Sequence, residues 1–171
     1  MNRVIRTAPL TAAAFAAFGD VLETTGEPDK MINQGHCGRW HDQARLDFGD
    51  GCAAISLFRA EPRSFPYSLD MMERHPEGSQ AFLPMSQNPF LVVVAPDEND
   101  RPGQPRAFVT SPGQGVNVHR GIWHGVLTPL SPPGLFAVVD RIGPRDNLEE
   151  HWFNQAFSIE AGDGLANISS G

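Results

Sequence analysis

The amino-acid sequence predicts an all-β barrel carrying one short N-terminal helix. Three observations lead there. Short apolar stretches recur at roughly 8–12-residue intervals, the spacing of strands in sandwiches and barrels. Glycine (17) and proline (15) are abundant among the 171 residues and cluster between those stretches, where turns are needed. No long segment repeats its apolar residues at the helical period of ~3.6. The length fits a single domain with a substantial core, expected over residues 1–160, followed by a small, polar and loosely held tail over 161–171.

The helix is expected first. Thr11 can cap the run AAAFAAF at 12–18, Gly19 can stop it, and Phe15 and Phe18, three apart, would pack it onto the body. Strands are then expected over 20–23, 31–33, 39–41, 53–59, 68–75, 80–84, 90–95, 106–109, 116–119 and 135–140. Breakers such as EPRSFP, PDENDRPGQP, TSPGQG and TPLSPPG separate them. The run Phe90-Leu-Val-Val-Val-Ala95 is apolar without alternation, as in a strand covered on both faces.

A net charge of −7 argues against nucleic acid or an anionic membrane surface as partner, because both select basic proteins. No apolar run approaches the ~20 residues that span a bilayer. The start MNRVIRTAPLTAAAFAAF is broken by Pro9 and Thr11 and shows no cleavage site, so it reads as mature sequence of a cytoplasmic protein. Cys37 and Cys52 form neither a disulfide framework nor a CxxC pair and read as two packed thiols. The sequence holds no GxGxxG, P-loop, GxSxG or HExxH, which excludes the usual nucleotide-cofactor and serine-nucleophile classes.

Two stretches carry candidate chemistry. In MERHPEGSQAFLPM, Glu73 and His75 are two apart and share one face of a strand. Pro76 and Gly78 turn the chain, and Gln80 opens the next strand beside them. In GQGVNVHRGIWHGVLT, a strand ends near His119, turns through Arg120-Gly121, and delivers His124. The spacings are those of the two cupin motifs. Glu73-x-His75, four residues and Gln80 match the first; Gly113, five residues, His119-x-Gly121, two residues and His124 match the second. Glu73 replaces a histidine, Gln80 an acid and His119 a proline. Glu73, His75, Gln80 and His124 together offer mixed N/O donors with one negative charge, a set suited to a divalent first-row ion. A metal-free pocket using the same residues as acid, base and hydrogen-bond donors is the alternative. His36 and His151 read as ordinary surface or core histidines; His41, between Trp40 and Asp42, could sit in a semi-buried polar site. Arg59, Arg120 and Arg141 are candidates to bind a carboxylate bidentately, and Asp140 to orient a histidine or contact a ligand.

The sequence resembles the bacterial ureidoglycolate lyases. The matching stretches are AFGDVLE, NQG…RWHD, ISLFRA, ERHPEGSQAFLPM, FLVVVA, GQGVNVHRGIWHG and VVDRIGPRDNLEE, in the family's order across nearly the whole chain. Gly125 departs from it, standing where members often carry a second histidine. The resemblance implies a cupin-like β-barrel of the jelly-roll type, a homodimer, a nickel-associated site, and cleavage of ureidoglycolate to glyoxylate and urea in allantoin (purine) degradation. On that reading His119, Glu73 and His124 are catalytic. Arg120, Arg59 and Asp140 bind substrate, and Glu73, His75, Gln80 and His124 hold a divalent metal. The alternatives are a cupin lyase acting on a related small 2-hydroxy or ureido acid, and a ligand-binding cupin module without turnover.

Overall fold

The computed structural model describes residues 3–163 and is the expected all-β, cupin-like barrel. Its strands are β1 (Val4–Arg6), β2 (Ala8–Pro9), β3 (Gly19–Leu22), β4 (Lys30–Ile32), β5 (Cys37–Arg39), β6 (Cys52–Arg59), β7 (Tyr67–Arg74) and β8 (Gln80–Pro84). They continue with β9 (Phe90–Ala95), β10 (Arg106–Val109), β11 (Gly115–Val118), β12 (Trp123–His124), β13 (Thr128–Pro129), β14 (Leu135–Ile142) and β15 (Glu149–Glu160). The helix α1 (Ala12–Phe15) is capped by the Thr11 hydroxyl, which accepts from Ala14 N at 3.2 Å. It is shorter than the expected 12–18, although Phe15 and Phe18 are both buried as anticipated. No described helix is long and apolar enough to cross a membrane.

The larger sheet runs β1-β15-β7-β12-β9-β10-β2, with β13 also on β9; a second sheet runs β3-β11-β8-β14-β6, and β4-β5 form a separate hairpin. Strand alternation on β9 explains its unbroken apolar run. Phe90, Val92 and Val94 enter a core shared with Phe82, Val116, Val118 and Val138 of the second sheet. Leu91, Val93 and Ala95 enter another with Leu69, Met72, Trp123, Phe157 and Ile159. A strand buried on both faces has no room for a polar side chain on either.

Four short strands, β1, β2, β12 and β13, and the longest one, β15, lie outside the expected segments. β1 and β2 occupy opposite ends of the larger sheet yet are separated by Thr7 alone. β1 pairs in parallel with β15 and β2 in parallel with β10, so residues 4–9 fasten the two edges together. Thr7 N donates to Glu160 O at 2.9 Å, and Gly162 N donates to the Thr7 hydroxyl at 2.9 Å. Gly162 of the expected tail is thereby tied down; residues 164–171 lie outside the described residues. β15 escapes a period-two reading because its register on β7 shifts between Trp152 and Phe157, which resets the alternation. Both cysteines are free thiols, Cys37 half-buried and Cys52 exposed.

Phe157 lies on the far side of that bulge and is 1% exposed. Replacing it with alanine should destabilise the protein by about 3–5 kcal/mol, read from the urea midpoint; a loss below ~1 kcal/mol would show that β15 does not help hold the second core.

Candidate active site

The two motifs converge between the sheets. Glu73, near the end of β7, is the cross-strand partner of His124 on β12, and His124 also pairs with Val94 of β9. His75 follows β7 on the same face as Glu73, and its ring centroid lies 5.2 Å from that of His124. Gln80 comes from the facing sheet, where it pairs with Val118, a residue of the shared core. Ligand atoms of Glu73, His75 and His124 lie within 4.8 Å of one another. Arg74, between Glu73 and His75, points to the opposite side and bonds Glu149, Asp97 and Asp100.

Hydrogen bonds fix how these groups face one another. His75 Nδ1 donates to Asn147 O at 2.5 Å, the contact that in a neutral ring puts the lone pair on Nε2. That nitrogen lies 3.1 Å from Gln80 Oε1. Gln80 Nε2 donates to Asp140 Oδ2 at 3.2 Å, so the amide oxygen, an acceptor, is the atom turned to His75. His124 Nδ1 donates to Gly125 O at 3.0 Å, and its buried Nε2 has no hydrogen-bond partner among the described residues. His75 Nε2, Gln80 Oε1, the Glu73 carboxylate and the His124 ring thus converge, with Glu73 Oε1 3.9 Å from His124 Nδ1.

The electrostatics follow from burial. His124, 2% exposed, is pushed down to about 3 by burial and then by the field of His75, so its ring is neutral at ordinary pH. Burial pushes the Glu73 carboxyl up; His75 opposes the rise and Glu150 adds to it. A neutral His124 ring and the oxygen and nitrogen atoms gathered beside it fit a divalent cation. Donors at ~2.1 Å from one ion stand ~3.0 Å apart at right angles and ~4.2 Å apart when opposed. Ligand atoms within 4.8 Å of one another therefore close on an ion with contractions of at most about 1.8 Å.

The structure does not bring the other candidates into this group. His119 follows Asn117 on the outward face of β11, and its Nε2 bonds Asp20 Oδ2 at 3.0 Å. It lines a separate cleft of about 370 Å³ with Asp20, Gln43 and Arg45. Burial pushes the Asp20 carboxyl up, but bonds from Asn117, the Arg45 amide and His119 outweigh it and hold the acid below its usual range. Val118, one residue earlier, faces the core, so the motif spacing that suggested His119 put it on the wrong side of its sheet. Arg59 pairs with Leu135, five residues along β14 from Asp140. At ~3.4 Å per residue, that is about 17 Å away at the other end of the barrel. Arg120 stays at the rim, where its Nε donates to Pro76 O at 2.6 Å and its guanidinium lies 3.7 Å from Glu77 and 3.9 Å from Asp47. Arg141 is buried against Asp50 and Phe48 O on the outer face. Asp140 reaches the site through Gln80. Asn147 was not singled out in the sequence, and nothing in its loop, GPRDNL, distinguishes it from an ordinary turn residue.

Comparison with known proteins decides the family. The ureidoglycolate lyase family profile matches residues 2–160. This chain belongs to the ureidoglycolate lyase family. A ureidoglycolate lyase of Rhodobacter capsulatus is 60% identical over 144 residues, covering 84% of this chain and 89% of that protein. Ureidoglycolate lyase 2 of Rhizobium meliloti is 50% identical over 154 residues (89% and 94%), and a ureidoglycolate lyase of Chelativorans sp. is 50% identical over 159 (92% and 96%). Family membership makes the protein a lyase, and the convergent acceptor cluster is its candidate centre.

The depressed pKa of His124 has a consequence for stability. Between about 6.5 and about 3 the unfolded chain binds a proton that the folded one refuses. Stability is therefore lost as pH falls through that window, by up to ~1.4 kcal/mol per unit. Glu73 acts in the opposite sense, since its raised pKa favours the folded state at low pH and that contribution is lost as pH rises. Metal-free wild type should lose stability relative to His124→Gln as urea titrations move from about pH 7 to about pH 4.5; parallel curves would contradict a buried neutral His124.

Proposed function

We propose that this protein cleaves ureidoglycolate to glyoxylate and urea, acting as a ureidoglycolate urea-lyase in allantoin degradation in the cytoplasm. The observation that carries the reading is the convergence of half-buried Glu73 and His75 with buried Gln80 and His124 in a chain of this family. The reaction takes the proton from the substrate hydroxyl, breaks the bond between the carbinol carbon and the ureido nitrogen, and returns a proton to that nitrogen. Carbon and oxygen leave as the aldehyde of glyoxylate, and the nitrogen leaves as urea.

His75, His124, Gln80 and Glu73 would hold a divalent first-row ion, nickel on the strength of the family resemblance. Such an ion supplies Lewis-acid polarisation of the substrate oxygens when bound. In the metal-free alternative Glu73, whose proton affinity burial raises, is the group that accepts the hydroxyl proton and passes one to the departing nitrogen. His124 stays neutral and offers only a lone pair, which suits a ligand rather than an acid. Phe82, edge-on to the His124 ring at 6.0 Å, and Val118 wall the site on the apolar side and exclude water. Arg120 is retained as the rim cation that draws the substrate carboxylate; Arg59 is too far along the barrel to take part.

Release of glyoxylate from ureidoglycolate by purified protein, before and after chelation and with nickel or manganese restored, tests the reading. His75→Ala and His124→Ala should each lower turnover by at least ~10². Arg120→Ala should raise KM while Arg59→Ala matches wild type; equal effects of the two would remove Arg120 from its role.

The reading includes a homodimer. β6 is the open edge of its sheet, and Ile55 and Leu57 on it are 75% and 68% exposed. A long apolar edge strand of this kind invites pairing with a second copy. Leu57→Asp should convert a dimer to a monomer in light scattering, and a wild-type monomer would refute this part of the proposal.

A further inference from the structure

We propose that Asn147 and Asp140 are positioning residues that aim the lone pairs of His75 and Gln80 at one point; this rests on the reading of that cluster as a cation site. A histidine beside a glutamine is ordinarily an adaptable pair. The ring can carry its proton on either nitrogen, and the amide can turn either end toward it. In the protonated-Nε2 or flipped-amide arrangements the two groups would satisfy each other and leave nothing for a cation. Two contacts from outside the cluster select the other arrangement.

The first is the Asn147 carbonyl, which accepts from His75 Nδ1 at 2.5 Å and so selects, for the neutral ring, the tautomer with its lone pair on Nε2. That carbonyl is held in turn. The Asn147 side-chain oxygen accepts from Glu77 N at 2.8 Å, closing residues 143–148 onto the turn that follows His75. Arg145 in the same segment bonds Glu77 Oε2 at 2.6 Å and Asp50 Oδ1 at 2.9 Å, and Asp50 is anchored by buried Arg141 at 2.7 Å. Thus the acceptor that sets the His75 tautomer is part of a strap pinned at two residues. The second contact is Asp140. A carboxylate can only accept, so it takes Gln80 Nε2 and leaves Oε1 facing His75. Asp140 sits on β14, one strand away from β8, where the ladder fixes its height relative to Gln80.

The work of these residues is done through His75 and Gln80, with no part in the chemistry itself. Groups in that position typically change metal affinity by ~10–100-fold when removed. The test compares wild type, Asn147→Ala, Asn147→Asp and Asp140→Ala, each checked for an unchanged thermal unfolding profile. Nitrogen-detected NMR of metal-free protein reads the His75 tautomer, and calorimetry reads the dissociation constants of nickel and manganese. We expect Asn147→Ala to populate both tautomers and to weaken ion binding by ~10–100-fold. Asn147→Asp, which keeps the oxygen that accepts from Glu77 N, should restore both readouts. Asp140→Ala should weaken ion binding to a similar extent while leaving the His75 tautomer unchanged. A single Nδ1–H tautomer and wild-type ion affinity in folded Asn147→Ala would overturn the role of Asn147, and unaltered affinity in Asp140→Ala would overturn that of Asp140. If wild type binds neither ion, the cation reading and the role of Asp140 fail together, while the tautomer still decides whether Asn147 sets the ring.

Discussion

The register of β12 between β7 and β9 decides which of two cores every side chain in this region enters. Trp123 and His124 are neighbours in sequence, yet one packs with Met72, Ala95 and Phe157 while the other meets Glu73 across from Val94. A slip by one residue would exchange them. It would put an indole among the polar groups and take the imidazole away from them. The apolar cost of that exchange is what fixes the polar site in place. β12 thus carries a packing residue on one face and a functional one on the other.

The polar groups are themselves arranged by exclusion of water. His124 is neutral because burial denies it a charge, and Glu73 holds a proton more readily for the same reason. In both cases burial is the largest cause, and the neighbouring hydrophobic residues that the sheet register supplies provide it. Around the rim the opposite condition holds. Arg120, Arg145, Glu77, Asp47 and Asp50 form a chain of half-exposed ion pairs linking the loops at the mouth. Individually such pairs stabilise little; together they restrict the loops from which His75 takes its orientation.

Much of this was legible in the sequence, for reasons that can be traced. Glu73, His75 and Gln80 lie on two consecutive strands joined by a short turn, so their separation along the chain nearly determines their separation in space. His124 obeys the same logic through the Gly121 turn. His119 and Arg59 show where such reasoning stops. Spacing along one strand says nothing about which face meets the core, and His119 is out of phase with Val118. Position after an apolar strand does not tell which end of the barrel that strand reaches, and Arg59 is at the far one. Asn147 was invisible because its contribution to His75 is a backbone carbonyl, a group every residue possesses. β15 was hidden by a bulge that breaks the alternation, and β1 and β2 were too short to show any.

The two short N-terminal strands also bear on how the molecule assembles. β1 has no lasting place until β15, far along the chain, exists for it to lie against. β2 needs only β10, which comes well before β15. The barrel therefore closes across a very long sequence separation, and contacts of that kind form slowly. Until then the edges of β10 and β15 stand open to mispairing.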